Sequence, residues 1–292
     1  MNRIKGILYA AVSSSTFGLA PFFSITLLLA GFSAFEVLSY RWGVASIVLI
    51  VFGWLSGCNF RLAGKDWGVV FLLSLLRAVT SFSLIIAYQN IASGVASTIH
   101  FMYPLAVALA MMFFFHEKKS LLVMLAVLMS LFGAALLSSG ELEAKSGNTM
   151  VGLVAACVSV FSYAGYIVGV RTTRAVQINS TALTCYVMGL GTIFYLIGAY
   201  CTSGLQLVSD GYTWLIILGL ALPATAISNI TLVQAIKYAG PTLTSILGAM
   251  EPLTAVVIGV FVFKELFTVN SAVGIILILL AVSIVVFRRQ KS

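Results

Sequence analysis

Two charged side chains in the middle of long apolar segments are the residues best placed to do chemistry. Arg77 follows Trp67, which begins one such segment, by ten residues, and Glu251 follows Pro241 in another by the same distance. At about 1.5 Å per helical residue, each would lie about 15 Å into a helix, near the middle of a bilayer. A charged group there costs about 2.5–3.5 kcal/mol. We therefore expect Arg77 and Glu251 either to handle substrate or protons, or to form a static ion pair between helices.

Polar residues also accompany two prolines inside apolar segments. Tyr103 precedes Pro104 as Glu251 precedes Pro252. A proline within a helix removes an N–H donor and leaves a carbonyl oxygen free, so both prolines are candidate hinges or simple packing kinks. His100 lies one turn before Pro104, where it could bind a ligand, handle protons or only pack.

Two further polar residues are candidate ligand contacts. Ser81 follows Arg77 by one helical turn and therefore shares its face, which would line either a wet cavity or a hydrogen-bonded helix interface. Arg41 lies about seven residues inside its apolar segment, where it could reach a site, extend outward to water or meet Glu36.

The composition requires helices that can hold these residues within a membrane. The chain has 292 residues, 61% hydrophobic and 8% charged, with a mean hydropathy of +1.12, which excludes a soluble fold. The apolar runs are too long for the strands of a membrane barrel. We predict an all-α integral membrane protein with ten transmembrane helices, near residues 4–29, 34–55, 67–89, 94–115, 121–138, 150–170, 181–200, 213–235, 241–263 and 269–287.

Basic residues predict the orientation of these helices. If the N-terminus is cytoplasmic, the inner segments carry 12 basic residues, whereas the outer ones carry only Lys145 and Lys264. The protein should therefore lie in the inner (plasma) membrane with both termini in the cytoplasm. Because the basic residues are scattered at segment ends, they indicate topology and lipid contacts, and we expect no nucleic-acid partner.

The chain contains an internal repeat. A shift of 148 residues places Pro104 on Pro252 and Glu117 on Glu265, and the two glutamates, at helix ends, are most simply caps or packing residues. Five helices per repeat is an odd number, so the second block enters the membrane from the opposite side, and a pseudo-two-fold axis lies in the membrane plane. The predicted domains are residues 1–140 and 147–292.

The repeat also pairs candidate site residues. The 148-residue shift carries Ser81 onto Asn229, which adds an amide to the polar set. Aromatic residues coincide at a shift of 146, where Phe17 falls on Tyr163 and Tyr40 falls on Tyr186. Phe17 and Tyr163 could close over the apolar part of a substrate or simply pack.

Two blocks of five helices, each with a proline in its fourth helix and a glutamate 13 residues later, resemble the EamA branch of the drug/metabolite transporter superfamily. The resemblance covers nearly the whole chain, although the first half has Ala126 where the second has Gly274. It implies that helices one to four and six to nine surround a central cavity, with helices five and ten peripheral. It also implies export of a small metabolite such as an amino acid.

These features favour a secondary transporter that works by alternating access. The sequence has no Walker motif, so ATP is not expected to be the direct energy source, and it offers neither HExxH nor GxSxG for an intramembrane enzyme. Its four cysteines form no CxxC, and we expect no cofactor or metal. The alternatives are a flippase for a lipid-linked group and an uptake permease for a nucleoside- or vitamin-like solute.

The deep charges indicate the kind of substrate. Arg41 and Arg77 against Glu251 leave a net positive charge, which favours a substrate with a carboxylate, and a zwitterion such as an amino acid fits best. Glu251 is the only deep carboxylate, and burial disfavours its charged form whereas Arg77 favours it. Transport is therefore either coupled to protons through Glu251 or a facilitated exchange that needs no protonation.

Overall fold

The computed structural model describes residues 2–91, 93–117, 120–138, 147–202, 204–261 and 268–287. These residues form helices and connecting loops without a β-strand, so the all-α prediction is confirmed for this part of the chain. The α-helices are α1 (Asn2–Phe17), α2 (Ala20–Leu29), α3 (Ala34–Leu55), α4 (Trp67–Asn90), α5 (Ser93–His100), α6 (Tyr103–Phe113), α7 (Leu121–Ser138), α8 (Thr149–Thr172), α9 (Ser180–Cys201), α10 (Gly211–Ala221), α11 (Ser228–Ala239), α12 (Pro241–Leu247), α13 (Met250–Phe261) and α14 (Val269–Phe287).

Within the described residues, seven helical stretches are long and apolar enough to cross a membrane: Arg3–Leu29, Ala34–Leu55, Gly64–Asn90, Val95–Phe113, Thr149–Thr172, Ser180–Cys201 and Gly211–Ala239. Two shorter apolar helices, Leu121–Leu136 and Ala272–Ile284, occupy the fifth and tenth predicted spans. The ninth predicted span holds α12 and α13. A multi-helix membrane fold is thus confirmed, whereas the number of ten crossings stays a prediction.

Four of the predicted continuous helices are interrupted. The chain leaves regular α-helix at residues 18–19, 101–102 and 248–249, and residues Leu222–Ile227 form a π-helical turn. Each segment that begins at an interruption has a proline within its first three residues, namely Pro21, Pro104, Pro223 and Pro252. Proline is tolerated in a first turn because its missing N–H would lack a helical partner there anyway. The role of Pro104 and Pro252 as hinges stays a prediction.

The two halves of the chain pack across each other. The helix pairs with the most extensive contacts are α4 with α8, α1 with α11, α3 with α9 and α7 with α14. In the repeat, α4 is equivalent to α11 and α8 is equivalent to α1, so the pair α4–α8 corresponds to the pair α1–α11. Helix α3 is equivalent to α9 and α7 is equivalent to α14, so each of the other two pairs joins a helix to its own equivalent. This pattern is the one that a two-fold axis between the repeats requires. Helices α7 and α14, the fifth of each repeat, pack mainly against one another, as peripheral helices would.

Polar side chains hold several loops and helix ends. Thr242 Oγ1 donates a hydrogen bond to Glu117 Oε2 over 2.6 Å, which fits the structural role expected for this glutamate. The Asp210 carboxylate caps the start of α10 by accepting a hydrogen bond from the Thr213 backbone N–H. This hydrogen bond holds the pKa of the Asp210 carboxyl below its usual range. Glu265, Lys264 and the loop with Lys145 lie outside the described residues.

Candidate functional site

Arg77 lies at the centre of a buried polar and aromatic cluster. The side chain extends from α4, is 1% exposed, and donates a hydrogen bond from Nε to Asn229 Oδ1 on α11 over 3.0 Å. Its guanidinium carbon is 4.9 Å from the ring centroid of Tyr163, 5.3 Å from that of Phe17 and 5.9 Å from that of Tyr166. Such cation–π contacts gain strength where water is excluded.

Arg41 approaches the same phenyl ring from α3. Its Nε donates to Thr225 Oγ1 over 2.6 Å, and its Nη2 donates to the Ala224 carbonyl oxygen over 3.5 Å. Its guanidinium carbon lies 5.4 Å from the centroid of Phe17, so the guanidinium carbons of Arg41 and Arg77 are within about 11 Å of one another. Thr225 and Ala224 belong to the π-helical turn, a local geometry often found at functional sites.

The static ion pair between Arg77 and Glu251, one of the two alternatives for these residues, does not form in this conformation. The described residues hold one ion pair within 4 Å, between Arg174 and Asp66, and it lies outside this cluster. The alternative contact of Arg41 with Glu36 is also wrong, because the Glu36 carboxylate accepts backbone N–H groups at its own helix terminus and in a neighbouring loop. Among the described residues, the terminal nitrogens of Arg77 therefore have no hydrogen-bond acceptor.

Glu251 nevertheless lies beside the cluster. It is 7% exposed in the first turn of α13, more than 4 Å from the nitrogens of Arg77 but near enough for the two charges to interact. The interruption between α1 and α2 comes very close, since a Cβ on Gly18 would lie 2.6 Å from the Glu251 carbonyl oxygen. Glycine is required there for the two broken helices to meet.

His100 and Tyr103 extend the aromatic side of the cluster. The His100 ring stacks on Tyr163 at 5.3 Å between centroids, and the Tyr103 ring meets Tyr163 at 4.6 Å. His100 Nδ1 is hydrogen-bonded to Ser159 Oγ at 2.8 Å, whereas its buried Nε2 has no partner among the described residues. The Tyr103 hydroxyl occupies space that a side chain at Gly248 would fill.

On α4, helical spacing predicts a polar stripe of Arg77, Thr80 and Ser81, which does not face one cavity as a unit. Thr80 donates to Ser162 on α8, an interhelical hydrogen bond. Ser81 is buried beside Tyr195 of α9, whose hydroxyl donates to the Ala78 carbonyl oxygen. Arg77 is therefore the stripe residue that joins the cluster, and the others favour the alternative of helix packing.

The nine residues predicted to contact substrate are all less than 9% exposed. Seven of them lie together around the Tyr163 and Phe17 rings or directly beside them: Arg41, Arg77, His100, Tyr103, Asn229, Phe17 and Tyr163. In this conformation the cluster is buried within the helix bundle.

Sequence reasoning gave Tyr166 no role of its own, although it belongs to the cluster. Tyr166 is fully buried, stacks on Tyr163 and has an unpartnered hydroxyl among the described residues. Its spacing of three residues from Tyr163 places it on the same helical face and could have identified it. Thr225 is indicated by the sequence, because the repeat pairs it with Arg77 at a shift of 148 residues, whereas its bond to Arg41 depends on the π-helical geometry.

The cluster lacks the usual means of holding a metal. In the part of the chain that was described, no three His, Cys, Asp or Glu side chains come close enough to bind an ion. What the arrangement offers is two guanidinium groups, an amide, hydroxyls, one carboxyl and four aromatic rings. Such a set can bind a small molecule with an anionic group and an apolar part.

Comparisons with known proteins agree with this architecture. Residues 4–139 and residues 150–287 each match the model of the EamA-like transporter family. A relative from Archaeoglobus fulgidus, described as an uncharacterized transporter, is 28% identical over 238 residues, which cover 80% of this chain and 83% of the relative. A crystal structure that is 17% identical superposes with a TM-score of 0.79 over 97% of this chain and 96% of its own, which shows the shared fold alone.

Proposed function

Because the chain belongs to the EamA-like transporter family, we propose that it is a secondary transporter that binds a small carboxylate-bearing metabolite, most simply an amino acid, at Arg41 and Arg77. The observation that carries this proposal is the pair of buried guanidinium groups around Phe17, with no carboxylate within 4 Å of either among the described residues. Buried charges are normally paired, so an anionic ligand would complete this site.

The geometry of the guanidinium groups suits a carboxylate. Arg77 is oriented by the bond from Nε to Asn229, which leaves its two terminal nitrogens free of acceptors among the described residues. Two parallel N–H donors of this kind bind a carboxylate in a bidentate manner, which a lysine does not match. The ammonium group of a zwitterion would then find Glu251, and the aromatic rings would receive its side chain.

Alternating access is supported by the interrupted helices. The interruptions of the first and ninth spans meet at Gly18 and Glu251, and the π-helical turn of the eighth span holds Arg41. Short helical pieces joined at such points can tilt separately, and transporter sites commonly lie where helices are discontinuous. The burial of all nine predicted contact residues is what a closed intermediate of such a cycle requires.

Localisation and direction complete the proposal. The protein is expected in the inner (plasma) membrane with both termini cytoplasmic, and export is favoured by the family resemblance alone. Glu251 is the proposed proton-coupling residue. Two alternative functions are distinguished by the test. They are a flippase for a lipid-linked group and an uptake permease for a nucleoside- or vitamin-like solute.

The test compares ligands that differ only in the carboxylate. Purified protein is screened by thermal shift against amino acids and their carboxylate-free amines, with organic acids, nucleosides and vitamins in parallel, and each hit is followed by counterflow in liposomes. We expect stabilisation by an amino acid, none by its amine, and loss of the shift in Arg77→Gln but not in Arg61→Gln, which changes an exposed arginine. Equal stabilisation by acid and amine, or by a nucleoside alone, would contradict the proposed substrate class.

A further inference from the structure

A tyrosine of each repeat makes the same hydrogen bond at opposite ends of the helix pair α3–α9. The Tyr40 hydroxyl donates to the Gln206 carbonyl oxygen over 2.5 Å, and the Tyr186 hydroxyl donates to the Phe60 carbonyl oxygen over 2.6 Å. A shift of 146 residues converts Tyr40 into Tyr186 and Phe60 into Gln206. The two bonds are therefore one contact, formed twice by the pseudo-two-fold axis.

The surroundings of the two bonds are also repeated. The Tyr40 ring meets Trp214, at the start of α10, edge to face with 6.0 Å between centroids. The Tyr186 ring meets Trp67, at the start of α4, in the same manner at 5.4 Å. The two tryptophans are 147 residues apart, so they are repeat equivalents within one position. We call the two assemblies the Tyr40 latch and the Tyr186 latch, each comprising its tyrosine, the accepting carbonyl and the tryptophan.

Each latch ties a helix start to the loop that leads into a helix of the site. The Tyr40 latch joins α3, which carries Arg41, to the chain that continues into α10 and the π-helical turn. The Tyr186 latch joins α9 to the loop that leads into α4, which carries Arg77. Helix α3 has 22 residues and spans about 33 Å, so the two latches lie near opposite ends of the bundle.

The latches are more accessible than the site. Both tyrosines are half-buried, whereas the site residues are buried. An open pocket of about 460 Å³ adjoins Gln206 of the Tyr40 latch and is also lined by Phe32, Glu36 and Gly204 among others. A neutral hydrogen bond contributes little net free energy, so a latch of this kind opens at small cost.

From this symmetry we propose that Tyr40 and Tyr186 are the gating residues of transport, each holding one end of the bundle closed. Opening towards one side breaks one latch while the equivalent latch at the other end stays formed. The assignment rests on the alternating access proposed above. Both latches are formed in this structure, in which the site residues are buried.

The chain offers a matched pair of reporters for the two ends. Cys185 adjoins Tyr186 and is 7% exposed, and its repeat equivalent is Ser39, which adjoins Tyr40 and is 4% exposed. The Ser39 hydroxyl has no hydrogen-bond partner among the described residues, so Ser39→Cys loses no bond. The first reporter protein keeps Cys185 and has serine in place of the other three cysteines. The second reporter protein has serine in place of all four cysteines and carries Ser39→Cys.

The experiment measures labelling by a charged, membrane-impermeant maleimide on purified protein in detergent. We expect Tyr40→Phe to raise the labelling rate of the Ser39→Cys reporter two- to tenfold and the labelling rate of Cys185 less than twofold. We expect Tyr186→Phe to raise the labelling rate of Cys185 two- to tenfold and that of the Ser39→Cys reporter less than twofold. Tyr200→Phe, at an exposed tyrosine, and Gln206→Ala, which keeps the accepting backbone carbonyl, should change neither rate. If a phenylalanine variant is not recovered, Trp214→Phe and Trp67→Phe weaken the same latches and should give the same sided pattern.

Labelling that rises equally at both ends, or at neither end in monodisperse protein, overturns the proposal. Labelling needs no ligand, so it tests the latches separately from the substrate. If each variant raises labelling at its own end but no carboxylate ligand is found, the latches are supported and the proposed substrate class is rejected. If a carboxylate ligand binds but labelling does not rise at one end only, the substrate class is supported and the latches are rejected.

Discussion

Arg41 and Arg77 place two positive charges around a single phenyl ring, and this choice of side chains determines what the site can accept. Arg41 is held by the π-helical turn through Thr225, and Arg77 is held by Asn229. Arg77 keeps both terminal nitrogens and Arg41 keeps Nη1 for a ligand, while Nε of each arginine fixes the plane of its guanidinium group. Orientation by Nε is thus as important to recognition as the charge itself.

Asn229→Ala should weaken binding of the carboxylate ligand about tenfold or more, because Arg77 loses the bond that orients it. Hydrogen bonds to charged groups contribute about 1.5–3 kcal/mol, which sets this range. Isothermal titration against the ligand found in the screen gives the dissociation constant. Asn59→Ala, at an exposed loop position, is the control and should leave it unchanged. Unaltered affinity in Asn229→Ala would show that Arg77 is not positioned through this amide.

Glu251→Gln should abolish the response of transport to a proton gradient while exchange of substrate continues at lower affinity, because the ammonium group loses its charged partner. The carboxyl is buried beside Arg77, so its proton affinity changes when the cluster opens or fills. Uptake into liposomes is compared with and without a pH gradient at zero membrane potential. If the parent accumulates no more substrate with the gradient than without it, the coupling is wrong, and Glu251 is left with binding or structure.

Among the helices, interruption is the feature that builds the site. Regular α-helix fails at four places, and three of these bring Phe17, the π-helical turn and Glu251 to the cluster. A π-helical turn accommodates one extra residue in a helix, so it shifts side chains without changing the course of the flanking segments. Here it offers the Thr225 hydroxyl and the Ala224 carbonyl to Arg41.

Deletion of Ala226 should convert the π-helical turn into regular α-helix and weaken ligand binding while the protein still folds. Removing the extra residue keeps α10 and α11 in register but withdraws the partners of Arg41. Deletion of Ile217, in the regular part of α10, rotates the rest of the span by about 100° and should abolish folding. Size-exclusion profiles and thermal-shift binding compare the two deletions. Equal loss of folding in both would show that the turn has no separable role.

The sequence alone predicts the helices well and their interruptions poorly. Apolar runs locate the spans because each must cover the bilayer, and Asn229 is found through the repeat. The pairing of Arg77 with Asn229 in place of Glu251 depends on how α4 rotates against α11, which periodicity does not specify. The proline at each interruption is visible in the sequence, but a proline inside a span is compatible with either a kink or a break.

For the complete chain, the repeat predicts which loops share a side of the membrane. Both termini and the segment from Arg171 to Arg174 should be cytoplasmic, and the loop from Glu141 to Lys145 should face outward. Single introduced cysteines labelled by an impermeant reagent in intact cells and in inverted vesicles test this. Labelling of the Glu141 to Lys145 loop from the cytoplasmic side alone would contradict the inverted arrangement.

The pairing of α4 with α8, α1 with α11 and α3 with α9 has a consequence for the separate production of the two halves. Each half presents its main packing faces to the other half, so neither half covers these faces by itself. Residues 1–140 and 147–292, produced as separate polypeptides in one cell, should accordingly assemble into a stable complex, whereas either fragment produced alone should be degraded.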